Sequence, residues 1–240
     1  MTTLCLDFGN TRLKAAVFDN DVFRDEISLE NDHTDTVSRL LKEVNPQRSI
    51  LASVINHNPE IESLLSSYGA FHLLSIETVL NFTSPVGKPQ TIGADRLALA
   101  AAAVHFYPGK NNLIIGLGSC ITYNFINQYH EFLGGNISPG MDMRFRAMHE
   151  YTAKLPLVQA EWNIPLIGYD TKTNLQSGVI YGIIGEIDGM IDKYEQRYGN
   201  FNVLLTGGNS AYFASQLKKR IFADSNFLFK GLYALSEINN

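Results

Sequence analysis

A glycine-containing turn between two apolar, strand-like stretches carries the first residues that could do chemistry, at positions 7–14. Such a turn exposes backbone N–H groups that can hold phosphate oxygens. The side chains around it add short donors, one cation and one carboxylate that can bind Mg²⁺ directly or through water. Asp, Gly and Asn are also ordinary turn formers, so a plain hairpin stays open. The residues concerned are Asp7, Gly9, Asn10, Thr11 and Lys14.

A second group, Gly93-Ala94-Asp95-Arg96, opens an alanine-rich stretch with the composition of a buried helix. An acid at the start of a helix is stabilised by the helix dipole and stays ionised. Its carboxylate could accept the proton of a hydroxyl group, and the neighbouring guanidinium could bind an anionic substrate through two hydrogen bonds. Helix capping alone also favours an aspartate here, so both roles stay open.

Two glycine-rich segments could bring the backbone close to a ligand. Residues 134–140 (GGNISPG) are predicted to form a surface loop between a strand and a helix. Thr206, Gly207 and Gly208 follow a predicted strand, and nucleotides often lie where a strand passes through glycines into a helix. Tight packing would explain the same glycines. The sequence contains no HExxH motif and no complete P-loop motif.

Strand-like and helix-like stretches alternate along the chain, which predicts an α/β fold. Residues 4–11 and 113–120 repeat one pattern, an apolar strand followed by a glycine-bearing turn and a second strand. This repeat suggests two duplicated halves, although a chance match of a common pattern is the alternative. Strands are predicted at 4–6, 13–18, 49–54, 113–115, 120–126, 131–133 and 202–205, and helices at 35–44, 59–65, 95–106, 173–198 and 210–219.

Composition limits the class of protein. The 240 residues are 45% apolar, enough to form a core, which excludes global disorder. A net charge of −5 offers no basic excess for a dedicated nucleic-acid binder. The longest apolar run, 97–104, is far shorter than the roughly 20 residues that span a membrane, and no signal peptide is readable, so we expect a cytoplasmic protein. Cys5 and Cys120 form no disulfide or zinc pattern.

The order and spacing of these motifs resemble the type III pantothenate kinase family over nearly the whole chain. The matching pieces are DxGNTxxK at 7–14, GADR at 93–96, GGxIxPG at 134–140, Asp170-Thr171 before Ser177-Gly178, and TGG at 206–208. The resemblance implies a member of the acetate and sugar kinase/Hsp70/actin superfamily, an α/β fold with two ribonuclease H-like domains, here 1–112 and 113–240, and ATP in the cleft between them. The implied activity is ATP-dependent phosphorylation of pantothenate to 4′-phosphopantothenate, the first step of coenzyme A biosynthesis.

The resemblance also implies roles for single residues. Asp7, Gly9, Asn10, Thr11 and Lys14 would form the first phosphate loop, with Asp7 a possible Mg²⁺ ligand; Gly118 and Ser119 would form the second phosphate loop; and Thr206, Gly207 and Gly208 would lie near the adenosine. Pantothenate would contact Val86, Gly93, Ala94, Asp95, Arg96 and, across a homodimer interface, Thr171. Asp95 would be the catalytic base for the primary hydroxyl, and an ordinary aspartate pKa of about 4 is adequate for a loose phosphoryl-transfer transition state.

Two positions depart from the family pattern. The family normally has an aspartate that coordinates a monovalent cation, K⁺ or NH₄⁺, where this chain has Gly116, and often an aromatic residue where it has Val86. The first change predicts weak or absent K⁺ dependence. It also motivates an alternative, a catalytically weakened paralogue with a binding or regulatory role. A sugar kinase of the same superfamily is a third reading, which the GADR and GGNISPG segments match less well.

Overall fold

The structure is a computed structural model that describes residues 1–85, 87, 89–219 and 221–239. Its strands form two sheets of five. The first sheet and its flanking helices contain β1 (Thr2–Phe8), β2 (Leu13–Asp19), β3 (Val22–Leu29), α1 (Thr34–Val44), β4 (Arg48–Ser53), α2 (Glu60–Tyr68) and β5 (Ala70–Leu73). After a 3₁₀ turn (Pro89–Thr91) follow α3 (Ala94–Phe106), β6 (Asn112–Leu117), β7 (Cys120–Ile126), β8 (Phe132–Pro139), α4 (Met141–Glu150), α5 (Thr171–Tyr198), β9 (Asn202–Thr206), α6 (Ser210–Gln216), β10 (Phe222–Ala223) and α7 (Phe227–Asn239).

The two sheets have the same strand order. The first is β3-β2-β1-β4-β5, and the second, written in the matching direction, is β8-β7-β6-β9-β10. In each, a strand–turn–strand hairpin is extended by strands parallel to its first strand, since β4 is parallel to β1 and β9 is parallel to β6. This repeat confirms the predicted α/β fold with two duplicated, ribonuclease H-like halves.

The chain also divides into two compact units. The first contains Met1–Lys110, Phe125–Gly134 and Asn226–Asn240, and the second contains Asn111–Asn124 and Gly135–Ser225. The domain boundary between residues 112 and 113 stays a prediction. None of the helices in the described ranges is both long and apolar enough to cross a membrane.

Alternation along β1 separates two faces of the first sheet. Leu4, Leu6 and Phe8 are fully buried in a cluster with apolar residues of α1 and α2. The opposite face carries Cys5 and Asp7, and α3 and α7 pack against each other beside β1 and β4. A Cβ built on Gly231 of α7 would lie 1.9 Å from the carbonyl oxygen of Ala98, so the alanine-rich composition of α3 is explained by this close helix crossing.

Several predicted elements differ from the observed ones. Residues 134–139 of the segment predicted as a loop lie in the edge strand β8, and Gly140 is the N-cap of α4. Glycines are tolerated in β8 because an edge strand pairs on one side only. Helix α5 begins at Thr171 rather than 173, since Asp170 caps it, and α6 ends at Gln216 rather than 219. Strands β3, β5 and β10 and helices α4 and α7 were not predicted.

Candidate active site

Asp7 and Lys14 lie side by side on one face of the first sheet. They are directly paired in the antiparallel register of β1 and β2, which places their side chains on the same face. The Lys14 Nζ donates to Glu26 Oε1 of β3 at 2.5 Å. Strands β1, β2 and β3 therefore present a carboxylate, an ammonium and a second carboxylate in a row.

The turn itself is tight and its tip is open to solvent. The Gly9 N–H donates to the Arg12 carbonyl at 3.1 Å, and a Cβ on Gly9 would also lie 3.1 Å from that oxygen. Asn10 and Thr11 are exposed at the tip. A cleft of about 440 Å³ adjoins the turn, and its lining includes Leu13 and Leu29 of the opposite sheet face rather than Asp7.

Asp95 is held at the start of α3 by its own sequence context. The N-cap of α3 is Gly93, whose carbonyl accepts from Arg96 N at 3.0 Å and Leu97 N at 3.1 Å. The Asp95 carboxylate folds back over this glycine, since a Cβ on Gly93 would lie 2.6 Å from Asp95 Oδ1. Backbone N–H groups of Arg96 and Asp95 donate to the carboxylate. Asp95 is therefore not the helix cap, and the glycine before it makes room for its carboxylate.

Burial raises the pKa of Asp95 above its ordinary value, although the backbone N–H groups and the Arg96 charge act against that rise. An ordinary aspartate pKa of about 4 is adequate for the expected chemistry, and burial makes Asp95 more basic than that. A more basic carboxylate is a better acceptor for a hydroxyl proton. Arg96 lies over the Phe132 ring, 5.6 Å from its centroid, a cation–π contact that orients the guanidinium.

Asp7 and Asp95 interact electrostatically. The pKa of Asp7 is raised to about 7, first by burial and then by the Asp95 charge, with Lys14 lowering it and Glu26 raising it. The Asp95 charge repels the charge of Asp7, and a cation at Asp7 would remove this repulsion and is therefore favoured there. The residues of the GADR and DFGNT motifs thus come together in the first unit.

The second set of predicted residues comes together in the second unit. Parallel pairing of β6 and β9 sets Gly116 beside Thr206, so the Gly118–Ser119 turn and the following glycines leave the same end of the sheet. Gly207 has a φ of +101°, and a Cβ there would lie 2.2 Å from the Leu117 carbonyl oxygen. Gly207 must therefore be glycine for both reasons, and it packs directly against the strand end that carries the turn.

One predicted substrate residue, Thr171, lies in the second unit. Thr171 is exposed at the first position of α5, next to Asp170, whose side chain accepts from Thr173 N at 2.7 Å in a capping box. Hydrogen bonds from Thr173 lower the pKa of Asp170, so the cap stays ionised. Val86 lies outside the described residues.

Comparison with known proteins decides the family. The model of the type III pantothenate kinase family matches residues 3–193. The protein of Christiangramia forsetii named type III pantothenate kinase is 40% identical over 98% of both chains, and those of Flavobacterium johnsoniae and Bacteroides fragilis are 38% and 37% identical over at least 95% of both chains. The chain belongs to the type III pantothenate kinase family.

Solved structures agree with the fold. A Campylobacter jejuni protein described as a Baf family transcriptional activator has a TM-score of 0.62 and 21% identity over 98% of both chains. A ROK hexokinase from Thermus thermophilus has a TM-score of 0.51 and 13% identity over 99% of both chains. At these identities the likeness establishes the actin-like, acetate and sugar kinase superfamily fold and nothing finer.

A type III pantothenate kinase uses ATP and a divalent metal, and the Asp7 region suits that metal. Mg²⁺ is usually held by one or two carboxylates, several waters and substrate phosphates rather than by a cage of side chains. No group of three or more His, Cys, Asp or Glu within the described ranges could hold a metal by itself. One buried carboxylate with a raised pKa, repelled by a second carboxylate, is the donor set that such a partly hydrated ion needs.

Sequence reasoning missed two residues of this site. Glu26 was missed because β3 is a largely exposed edge strand whose charged middle, residues 24–26, interrupts the apolar pattern. Residues 22–29 nevertheless lie directly beyond the predicted β1–β2 hairpin. Phe132, whose ring contacts the Arg96 guanidinium, follows a hairpin turn far along the chain. Its contact with α3 depends on tertiary packing, and no local pattern signals it.

The raised pKa of Asp7 predicts how stability depends on pH. The folded protein keeps the Asp7 proton up to about pH 7, whereas the ordinary value of 3.8 describes the unfolded chain. The folded state therefore binds more protons between these values, and the free energy of unfolding falls as pH rises from about 4 to about 7. Urea unfolding in EDTA should show this fall in the parent and a weaker one in Asp7→Asn. Parallel curves for the two proteins would contradict the assignment.

Proposed function

We propose that this chain transfers the γ-phosphoryl group of ATP to the primary hydroxyl of pantothenate, with Asp95 as the catalytic base. The observation that carries the residue assignment is the Asp95 carboxylate, fixed over Gly93 at the start of α3, with a raised pKa and coupled to Asp7. Membership of the family supports the substrate and the product, 4′-phosphopantothenate.

Each residue near Asp95 has a chemical task in this proposal. Asp95 accepts the hydroxyl proton as the new P–O bond forms, and Arg96 binds polar groups of pantothenate together with the backbone of Gly93 and Ala94. Lys14 offsets negative charge that develops on the transferred group. Bound Mg²⁺ supplies charge neutralisation at the phosphates, and Asp7 would hold it directly or through water.

The two turns are assigned to the nucleotide. The tip of the first turn, Gly9 to Thr11, offers backbone and hydroxyl donors to phosphate oxygens, as does Gly118-Ser119 in the second unit. Thr206, Gly207 and Gly208 would lie near the adenosine. The packing of Gly207 on Leu117 supports this, because it fixes the glycine segment beside the second turn.

A coupled assay of ADP release tests the function. We expect turnover with ATP, Mg²⁺ and pantothenate, and none with glucose or N-acetylmannosamine, the substrates that a sugar kinase of the same fold would use. Turnover with a sugar but not with pantothenate would overturn the proposal. The alternative of a catalytically weakened paralogue is motivated by Gly116 alone, and absence of turnover with all three compounds would support it.

Gly116 predicts the response to monovalent cations. A unit charge about 4 Å from an ion contributes roughly 4 kcal/mol of gross attraction at an effective dielectric of about 20, much of it offset by rehydration. Even about 1.4 kcal/mol of that changes affinity tenfold. We expect weak or absent K⁺ activation, lower ATP affinity than in relatives with the aspartate, and K⁺ activation created by Gly116→Asp.

Activity titrated against KCl, with NH₄Cl in parallel, measures this effect. Gly116→Asn is the matched control, because it adds a side chain of similar size without the charge. Strong K⁺ activation of the parent, unchanged in Gly116→Asp, would show that another residue holds the ion.

We further propose a homodimer in which Thr171 contacts the pantothenate of the partner subunit. The apolar residues of α5 do not provide the interface, because Val179, Ile180, Ile183 and Ile187 are buried in the core of their own unit. A better candidate is the segment before α5, where Ile167 is 83% and Tyr169 is 81% exposed, next to Thr171. Large exposed apolar patches mark interaction sites.

Sedimentation of the Ile167→Asp variant tests the dimer. We expect a dimer in the parent, dissociation in the variant, and a raised KM for pantothenate in the dissociated protein. Ile76→Asp is the control, since Ile76 is equally exposed, at 77%, in the first unit. A parent that is monomeric and active at assay concentrations would refute the proposal.

We also propose that the protein is cytoplasmic, because ATP and the substrate of a coenzyme pathway are found in the cytoplasm.

A further inference from the structure

Glu186 of α5 is the centre of a polar cluster that joins four elements of the second unit. Its Oε1 accepts from Tyr123 Oη of β7 at 3.0 Å and from Ser138 Oγ at the end of β8. Its Oε2 accepts from the Arg144 guanidinium of α4. The carboxylate therefore has a partner on each of three other elements, and its side chain is only 25% exposed.

This cluster holds the junction between β8 and α4. Arg144 Nε donates to the Pro139 carbonyl at 2.9 Å, so the guanidinium links Glu186 to the residue just before the N-cap Gly140. A separate hydrogen bond, from Tyr194 Oη of α5 to Asn136 Oδ1 at 3.0 Å, fixes β8 to the same helix further along. Two side-chain hydrogen bonds, from Ser138 to Glu186 and from Tyr194 to Asn136, thus join the segment GGNISPG to α5.

The junction is in direct contact with the turn assigned to the phosphates. Gly140 N donates to the Ser119 carbonyl at 3.0 Å. A Cβ on Gly140 would lie 2.3 Å from the Gly118 carbonyl oxygen and 2.5 Å from that of Ser119. The two backbone segments are in direct contact here. A movement of Gly140 must therefore displace the Gly118–Ser119 turn or break the hydrogen bond between them.

We infer that Glu186 is a positioning residue for nucleotide binding, which acts through Arg144 and Gly140 on the Gly118–Ser119 turn. This inference rests on the proposed nucleotide role of that turn. The hydrogen bonds require an ionised acceptor, because Tyr123, Ser138 and Arg144 all donate. Burial would raise the pKa of Glu186, but the hydrogen bonds from Ser138, Arg144 and Tyr123 together hold it below its ordinary value. The carboxylate is therefore charged throughout the neutral range.

The test measures nucleotide binding rather than turnover alone. Calorimetric titration of the full-length protein with a non-hydrolysable ATP analogue and Mg²⁺ compares the parent with Glu186→Gln. We expect about tenfold weaker binding, the order expected from losing hydrogen bonds to a charged group. The KM for pantothenate should stay within about twofold, because Arg96 and Asp95 lie in the other unit. Glu195→Gln is the matched control, since Glu195 lies on the same helix and its side chain pairs with Lys219.

Two milder variants keep the inference testable if Glu186→Gln does not fold. Ser138→Ala and Tyr123→Phe each remove one donor and leave the Arg144 pair in place, so each should weaken the analogue about threefold. Parental affinity in the folded variants, with only a lowered Tm, would overturn the inference and leave Glu186 a purely structural residue. Failure of the proposed function is separate, since a parent that binds the analogue but does not phosphorylate pantothenate leaves this comparison intact.

Discussion

Replacing Asp95 with asparagine is expected to lower kcat with pantothenate by about 10²- to 10⁴-fold while leaving ATP affinity near the parental value. The amide keeps the size of the side chain but cannot accept the hydroxyl proton. Binding of ATP should persist because the turns assigned to phosphate, at Gly9 and Gly118, are unchanged. Steady-state kinetics with pantothenate, and titration with a non-hydrolysable ATP analogue, measure the two quantities.

Asp35→Asn is the matched control for this variant. Asp35 is the second residue of α1, as Asp95 is of α3, and it lies exposed in the first turn. Both substitutions remove one favourable helix-dipole interaction, about 0.3–1 kcal/mol at an exposed site. Only Asp95→Asn should lower kcat. Parental kcat in Asp95→Asn would reduce Asp95 to a helix-stabilising residue.

Among the variants proposed here, Gly207→Ala is expected to lower the free energy of unfolding most. It should also weaken nucleotide binding. A φ of +101° is strained for alanine, at about 1–3 kcal/mol. The added Cβ would also lie 2.2 Å from the Leu117 carbonyl oxygen, and forcing backbone apart in a packed region costs about 1–3 kcal/mol more. The strain should displace the end of β6, and with it the Gly118–Ser119 turn.

Gly199→Ala is the control that separates the cost of a positive φ from the cost of a steric clash. Gly199 also has a positive φ, +64°, but a Cβ there would meet nothing within 4 Å. It should lower the free energy of unfolding by about 1–3 kcal/mol and leave nucleotide affinity unchanged. Urea unfolding and titration with the ATP analogue measure both properties. Equal losses of stability in the two variants would show that β6 and the glycine segment yield to the added methyl group.

The parts of the fold that were predictable are those fixed by local pattern. The Gly9 and Gly118 turns lie between short apolar stretches, and that spacing was enough to find both hairpins and their repetition. Asp95 was found for the same reason, because the GADR tetrapeptide opens a long apolar helix.

The parts that escaped prediction are fixed by contacts distant in sequence. Residues 134–140 contain three glycines and one proline and were predicted as a loop, yet pairing at the sheet edge makes residues 134–139 part of a strand. The glycine-rich composition indicated close approach correctly, but Gly140 approaches the Gly118–Ser119 turn of its own chain. Glu186 gave no signal, because an isolated glutamate in a long helix is normally a solvated residue, and its three partners come from separate elements.

The raised pKa values also depend on the fold. The sequence places Asp7 at the end of an apolar strand beside a glycine turn and gives no sign of its burial. Its coupling to Asp95 depends on the packing of α3 against the first sheet, which no motif encodes. The local sequence could therefore identify both carboxylates as candidates, and only the tertiary arrangement shows that the Asp95 charge raises the pKa of Asp7.

The central claim is that Asp95 directs phosphoryl transfer to the primary hydroxyl of pantothenate, and ³¹P NMR of the reaction product tests it most directly. With ATP, Mg²⁺ and pantothenate, the parent should give a phosphomonoester whose phosphorus couples to the two protons of the primary carbinol carbon. Asp95→Asn should give no such signal on the same timescale. A parent that forms ADP and inorganic phosphate without this ester, or an undiminished ester signal from Asp95→Asn, would contradict the account.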